Sequence, residues 1–412
     1  MKKGMSYRLM ISSAFLILNM SSGAQAVLDD YLVLAAENNP GLKSRFNEYL
    51  ASLERIPQAG ALPDPQLAFG YFIQPVETRV GPQEFKISAS QMFPWFGTLK
   101  ARENVAVQAA KGRYEAFEEA KSNLSHEVRT TYYDLYFNRK AGNIIEENIN
   151  ILESLQALAL IKVESGMASP VDQYRIEMEL GDLENQIALI RDRQHALEVA
   201  FFNLLNTERF KVELPEILWD RDIHLTREAI LDSIGLRNHR LLELEMQEKT
   251  FRLQQDLARK QGAPNLLVGL DYTAVGKGEN EFSGKDAFVF PRIGITLPLY
   301  RNKYRSMIQE ASMMEAARMN QKTNRKNQLE TILEQTWKDL MDADRRILLY
   351  RDQLMLAEKS IHILETEYAT SNMDFEEILR MERKQLFYAL ELERARVGKQ
   401  AAISFIHLLM GS

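Results

Sequence analysis

Cysteine is absent from all 412 residues. That excludes disulfides, thiolate zinc sites, iron–sulfur clusters and cysteine nucleophiles. Chain breakers are scarce as well, with 12 prolines and 20 glycines, where average usage would give roughly 20 and 30. So few breakers leave room for long, uninterrupted helices. Beyond the N-terminal region no stretch reaches 18 apolar residues, so no ordinary transmembrane helix is expected. The formal charge of −6 gives no basic footprint for a nucleic acid.

Catalytic patterns are missing too. His126, His195, His224, His239, His362 and His407 are scattered without metal-ligand spacing. His362 can share a helix face with Glu365 or Glu367, but such a histidine reads as a solvated or packing side chain far more readily than as a ligand. Gly276-Lys277-Gly278 lacks the strand-to-helix context and the Gly-Lys-Ser/Thr ending of a phosphate loop. No serine elbow occurs. The chain therefore reads as a non-enzyme, with no metal site and no cofactor.

What is present starts with an export signal at 1–26. Lys2, Lys3 and Arg8 precede a mostly apolar run from Leu9 to Met20, and Ala24-Gln25-Ala26 forms an A-x-A cleavage site. Removal of the signal's three cations takes the charge from −6 to −9. No cysteine follows the cleavage site, so a lipid anchor there is excluded.

The remainder is one pattern written twice. Pro65-Gln66-Leu67-Ala68-Phe69-Gly70 matches Pro264-Asn265-Leu266-Leu267-Val268-Gly269. Phe93-Pro94-Trp95-Phe96 matches Leu297-Pro298-Leu299-Tyr300, and Gly166-Met167-Ala168-Ser169-Pro170 matches Ser371-Asn372-Met373-Asp374-Phe375. The offsets of 199, 204 and 205 residues keep the three pairs in register. Two structural repeats follow, 27–213 and 214–412. Each reads helix, two strands, long helix, tight turn, helix. The helical patterns cover 28–60, 98–165 and 170–207, then 226–261, 302–370 and 374–408. The long helices would reach about 100 Å. Val128, Tyr132 and Leu135, then Ile145, Ile149, Leu152 and Leu155, recur at steps of three and four, as helix packing requires.

The turns are well marked. Ser169 suits an N-cap, Pro170 the first helical position and Asp172 the capping-box site, while Gly166 can close the preceding helix. In the second copy Asp374 takes the N-cap place and Glu377 the box place, with Asn372 in the turn.

Strands are expected at about 66–74, 85–93, 265–274 and 287–297. Leu67, Phe69, Tyr71 and Ile73 share one face, as do Phe85, Ile87, Ala89 and Phe93, then Leu266, Val268, Leu270 and Tyr272, then Ile293, Ile295 and Leu297. The opposite face carries Lys86, Ser88, Ser90, Asp271, Thr273, Arg292 and Thr296. This alternation fits membrane β-strands and a half-buried soluble sheet alike. Four strands cannot close a barrel, and an open edge is not tolerated in lipid, so spanning strands would require oligomerisation. Prolines mark the strand–helix junctions at Pro63, Pro65, Pro94, Pro264 and Pro298. Trp95, Phe96 and Tyr300 beside them fit an interfacial aromatic belt or ordinary turn packing. Segments 75–84 and 276–286 are polar and glycine-containing, as outer loops would be.

At this point the sequence resembles the TolC family of outer-membrane efflux proteins over about 28–410. The resemblance rests on the duplicated plan, the Pro-x-Leu-x-x-Gly strand starts and the Gly-x-Ala-Ser tip. It implies a mainly α fold with a small membrane β part, a homotrimer sharing a twelve-stranded β-barrel in the outer-membrane lipid, and an α-helical barrel continuing into the periplasm. It implies a passive exit duct of a tripartite pump, docked to a periplasmic adaptor (membrane fusion protein) and an inner-membrane transporter of the resistance-nodulation-division type. By position, Gly166, Met167, Ala168 and Ser169 form the first adaptor-docking tip, and Asn372 and Met373 the second. Asp374, Glu376 and Glu377 match the periplasmic gate, where threefold symmetry would turn each into a ring favouring cations; helix capping explains Asp374 and Glu377 equally well. Lys86, Ser88, Ser90, Asp271, Thr273, Arg292 and Thr296 would face the barrel lumen.

The rival is a periplasmic coiled-coil adaptor or structural protein without a pore. An adaptor would carry one helical hairpin between split β-domains, where this chain carries two hairpins. Phe93-Pro94-Trp95-Phe96-Gly97-Thr98-Leu99 resembles members paired with heavy-metal cation pumps, leaving metal or drug export as the expected cargo. Met313, Met314 and Met319 fit soft-metal contacts but fit flexible helix packing better.

Overall fold

The computed structural model describes residues 23–412 apart from 168, 279–283 and 371–374. The export-signal reading of 1–26 therefore lies largely outside the described residues. Among these residues the elements run α1 (Gly23–Asn38), α2 (Pro40–Gly60), β1 (Gln66–Thr78), β2 (Gly81–Phe93), α3 (Thr98–Glu164) and α4 (Pro170–Leu205). Then come α5 (Arg227–Arg237), α6 (His239–Gln261), β3 (Asn265–Val275), β4 (Ala287–Thr296), α7 (Arg301–Thr370) and α8 (Phe375–Met410). No helix of the described residues is long and apolar enough to cross a membrane.

Helix–strand–helix order is as expected, but each first helix is broken in two. The patterns at 28–60 and 226–261 are split at Asn39 and Asn238. Pro40 removes a backbone donor, which favours a restart there. Asn238 caps α6, its Oδ1 accepting from Leu241 N at 3.2 Å. Both asparagines also reach across to a neighbouring helix end. Asn39 Nδ2 donates to Leu204 O at 2.9 Å, and Asn238 Nδ2 donates to Leu409 O at 2.9 Å. The carbonyls left bare at the ends of α4 and α8 are satisfied in this way, so the two joints are built alike.

Contacts divide the chain into two units, each drawn from both halves of the sequence. One comprises residues up to Asn39, Leu124–His224 and Thr336–Phe405; the other comprises Pro40–Asn123, Leu225–Gln335 and Ile406–Ser412.

In the first unit, Ile145, Leu152, Leu155 and Ala159 of α3 pack with Ile176, Leu183 and Ile187 of α4, Tyr368 of α7, and Phe375, Ile378 and Leu379 of α8. Each large aliphatic or aromatic side chain buried there contributes about 1.5–3 kcal/mol. The segment between α4 and α5 has no regular structure, so its backbone needs partners elsewhere. Tyr132 Oη donates to Glu213 O at 3.0 Å, and Glu213 N donates to Tyr31 Oη at 3.1 Å. Arg139 donates to Pro215 O, and Trp219 stacks on Tyr132. Further along, Lys399 of α8 is 5% exposed and reaches Asp220 at 2.6 Å, Asp222 at 2.5 Å and Asp344 at 2.9 Å.

The second unit holds an antiparallel sheet in the order β1-β2-β3-β4. Its first hairpin departs from expectation. Segment 75–84 is mostly strand, with Thr78 paired to Gly81 across Arg79 and Val80. Thr78 Oγ1 donates to Gly81 O and closes the turn. Pro75 fits because the register shifts between Tyr71 and Val76, and an irregularity is where a strand tolerates proline. Pro291 stands beside a similar shift between Gly269 and Asp271.

Candidate functional site

The sheet has two chemically distinct faces. Leu67 opposes Ala89, Phe69 opposes Ile87, and Tyr71 opposes Phe85. The row continues with Ile87 opposite Tyr272, Val268 opposite Ile293 and Leu266 opposite Ile295. This apolar row is largely exposed, with Leu67 at 77% and Ile73 at 91%.

The other face collects the polar residues expected to line a lumen. Lys86 pairs with Thr273, Ser88 with Asp271, Ser90 with Gly269, Gly269 with Arg292, and Asn265 with Thr296. Strand alternation places these side chains on one side. Asp271 sits between two cations, 3.4 Å from Lys86 Nζ and 3.5 Å from Arg292 Nε. Gly269 makes the second approach possible: a Cβ there would lie 2.8 Å from Ala89 O and 3.2 Å from the Arg292 guanidinium.

In the first unit, the α3–α4 turn is built as its sequence implies. Gly166 has φ +74°, a conformation glycine adopts without a Cβ penalty. Gly166 N donates to Val163 O at 3.0 Å and Met167 N to Lys162 O at 2.8 Å, a Schellman ending. Ser169 caps α4, its Oγ accepting from Val171 N at 3.3 Å. Asp172 pairs with Arg175. Met167, Val171 and Tyr174 are exposed around this turn. Ala168 lies outside the described residues, as do Asn372, Met373 and Asp374 at the second turn.

The two remaining gate candidates are described, and both face arginine. Glu376 lies 3.4 Å from Arg175 Nε and 3.8 Å from Arg383, and Glu377 pairs with Arg380. Arg383 also holds Glu179 of α4 at 2.7 Å. These carboxylates are thus partly neutralised, although partly exposed pairs of this kind are individually weak.

Three polar residues here carry no signal from short motifs. Lys162 of α3 is buried; it donates to Tyr368 O and lies 3.9 Å over that tyrosine's ring. Glu382 of α8 is 2% exposed, with Asn148 Nδ2 of α3 donating to its carboxylate at 3.2 Å. Burial, then the nearby Glu365 charge, push the Glu382 pKa up to about 7 against the opposing effect of Asn148. Each interrupts an apolar stripe. Asn148 and Lys162 fall in the series Ile145, Asn148, Leu152, Leu155, Ala159, Lys162, and Glu382 follows Phe375 and Ile378. That spacing is the signal by which they can be found.

No family model matches the chain, and no curated protein does. Solved structures do. CusC, described by its forming of a transmembrane channel, is 14% identical with a TM-score of 0.78, over 96% of this chain and 95% of its own. VceC, an outer-membrane protein of Vibrio cholerae, is 15% identical with a TM-score of 0.77, over 94% and 97%. The MtrE outer-membrane channel of Neisseria gonorrhoeae is 14% identical with a TM-score of 0.73, over 93% and 89%. The chain has the fold of the TolC-family outer-membrane channels. Near-complete coverage in both directions means that the sheet and the helical hairpins are shared as one plan. Among the described residues of this TolC-like chain, no cluster of three or more His, Asp or Glu could hold a metal ion.

Proposed function

We propose that the chain is the outer-membrane channel of a tripartite efflux pump. Three copies each contribute β1–β4 to a twelve-stranded barrel in the outer membrane, continued by an α-helical barrel in the periplasm. The observation that carries this reading is the sheet itself. It has an exposed apolar face, a polar face, and open edges at β1 and β4. Open edges must be paired before such a sheet enters lipid, and pairing β1 of one copy with β4 of the next closes the ring. The residues from Lys86 to Thr296 on the polar face then line the lumen. The two alike asparagine joints support the division into repeats 27–213 and 214–412.

On this reading the α3–α4 turn, with Gly166, Met167, Ala168 and Ser169, docks a periplasmic adaptor. Asn372 and Met373 form the second contact. Asp374, Glu376 and Glu377 line the periplasmic mouth. The adaptor joins the channel to an inner-membrane transporter of the resistance-nodulation-division type, and the cargo is a heavy-metal cation or a drug. The channel is passive, so selection falls to the transporter.

The deciding experiment is the mass of the detergent-extracted protein from separated outer- and inner-membrane fractions. A trimer in the outer fraction is expected. A monomer or dimer released without detergent would overturn the reading and leave a periplasmic coiled-coil role.

The tip is tested by Gly166→Pro. Proline fixes φ near −65°, whereas this position has φ +74°, and the Gly166 N–H donor is lost. Export should fall to the level of a deletion strain while the trimer persists in the outer membrane. Normal export by the variant would refute docking at this turn.

A further inference from the structure

The corner where β4 hands over to α7 is unlike the matching corner between β2 and α3. Lys100, in the first turn of α3, is paired with Glu103 at 2.9 Å. Arg301, Lys303 and Arg305 at the start of α7 are exposed and have no acidic partner among the described residues. The Lys303 ammonium lies over the Tyr304 ring, 5.8 Å from its centroid. Cations in the first turn of a helix, here Arg301 and Lys303, oppose its macrodipole.

A cleft of about 150 Å³ opens beside Lys303. It is lined by Asn265, Leu297, Pro298, Tyr300, Lys303 and Tyr304, among others. The lining combines aliphatic carbon, two phenols, an amide and an ammonium group. Leu297, Leu299 and Tyr300 along its rim are 61%, 78% and 86% exposed. Across the neighbouring strand start, Asn265 Oδ1 accepts from Trp95 N at 3.4 Å. That contact brings exposed Trp95 and Phe96 to the same border of the sheet.

We propose that this corner binds the headgroup of an anionic phospholipid in the periplasmic leaflet. The phosphate lies against Lys303, while Arg301 and Arg305, one turn apart on the other side of α7, add to the positive potential of the corner. The phenols and the Asn265 amide accommodate the glycerol and ester oxygens, and the acyl chains leave along Leu297 and Leu299. Charge complementarity selects this occupant over a zwitterionic lipid, because each lysine or arginine held near an anionic surface adds attraction. The exposed apolar rim selects a lipid over a free anion. This inference rests on the reading of the sheet as membrane-spanning.

The test uses the full-length protein extracted as its native oligomer, with native mass spectrometry of bound lipid. Phosphatidylglycerol should be retained at least about tenfold better than phosphatidylethanolamine. Arg301→Gln combined with Lys303→Gln and Arg305→Gln should abolish that preference, and Arg301→Lys combined with Arg305→Lys should keep it. Equal retention of the two lipids by the unaltered protein would overturn the inference. So would displacement of phosphatidylglycerol by millimolar inorganic phosphate, which would make the corner a free-anion site. Insertion into neutral phosphatidylcholine vesicles separates the two levels. Alkali-resistant insertion without a lipid preference defeats only the headgroup site; failure to insert defeats the membrane reading as well.

Discussion

Lys399→Met should lower the stability of the unit containing α4 and α8 by about 2–3 kcal/mol. Burial alone would push the Lys399 pKa down, but hydrogen bonds to Asp220, Asp222 and Asp344 more than reverse this and hold it above its ordinary 10.5. A methionine fills the aliphatic space without the charge and leaves three carboxylates facing one another. Removing one partner of a fully buried pair typically costs about 3–5 kcal/mol. The figure here is lower because the aspartate side chains are 62%, 61% and 38% exposed and remain hydrated. The loss should appear as a lower denaturant midpoint with an unchanged slope. Because the lysine's pKa is raised in the folded state, its contribution is complete below about pH 10 and declines only above that. A midpoint unchanged at pH 7 would mean that the segment from Asp220 to Asp222 is held by Trp219 and Leu218 packing alone.

Glu382→Gln should act in the opposite direction. The carboxyl is forced toward neutrality, with its pKa raised from 4.5 to about 7. The folded state therefore binds more protons than the unfolded chain between these values. Native stability falls as pH rises through that window and stays reduced above it. The full penalty is about 3 kcal/mol. Glutamine keeps the shape and an acceptor for Asn148 without ever bearing the charge. At pH 8 the variant should melt about 6–12 °C higher than the parent, and the difference should vanish near pH 4.5. Circular dichroism melts at several pH values read this directly. A constant difference across pH would mean that the carboxyl titrates alike in the folded and unfolded chain and that the gain comes from packing.

Both residues show where the sequence was legible and where it was not. Strand starts, the long helices and the Gly166–Ser169 turn follow from local chemistry: alternation, scarce breakers, an N-cap before proline. The helix breaks had weaker signals. Pro40 marked one, but Asn238 resembles any helical asparagine until Leu409 O is found beside it. Pro75 read as a loop residue because strand irregularities leave no trace in composition. Glu382 and Lys399 occupy stripe positions that hydrophobic spacing assigns to the core, yet their partners lie far along the chain. Asn148 and Asp220 cannot be matched to them without the fold. The polar face of the sheet was readable in advance because alternation depends on neighbours alone. The Arg175 partner of Glu376 was not, since it comes from another helix.

The open edges of the sheet have a genetic consequence. In the proposed ring every subunit makes two different seams, one through β1 and one through β4. An altered copy that still assembles therefore spoils joins made by its unaltered neighbours. With equal amounts of both forms, only about one ring in eight would be wholly unaltered if three copies combine at random. Lesions in either edge strand would therefore be inherited as dominant traits, whereas lesions that prevent assembly altogether would be recessive.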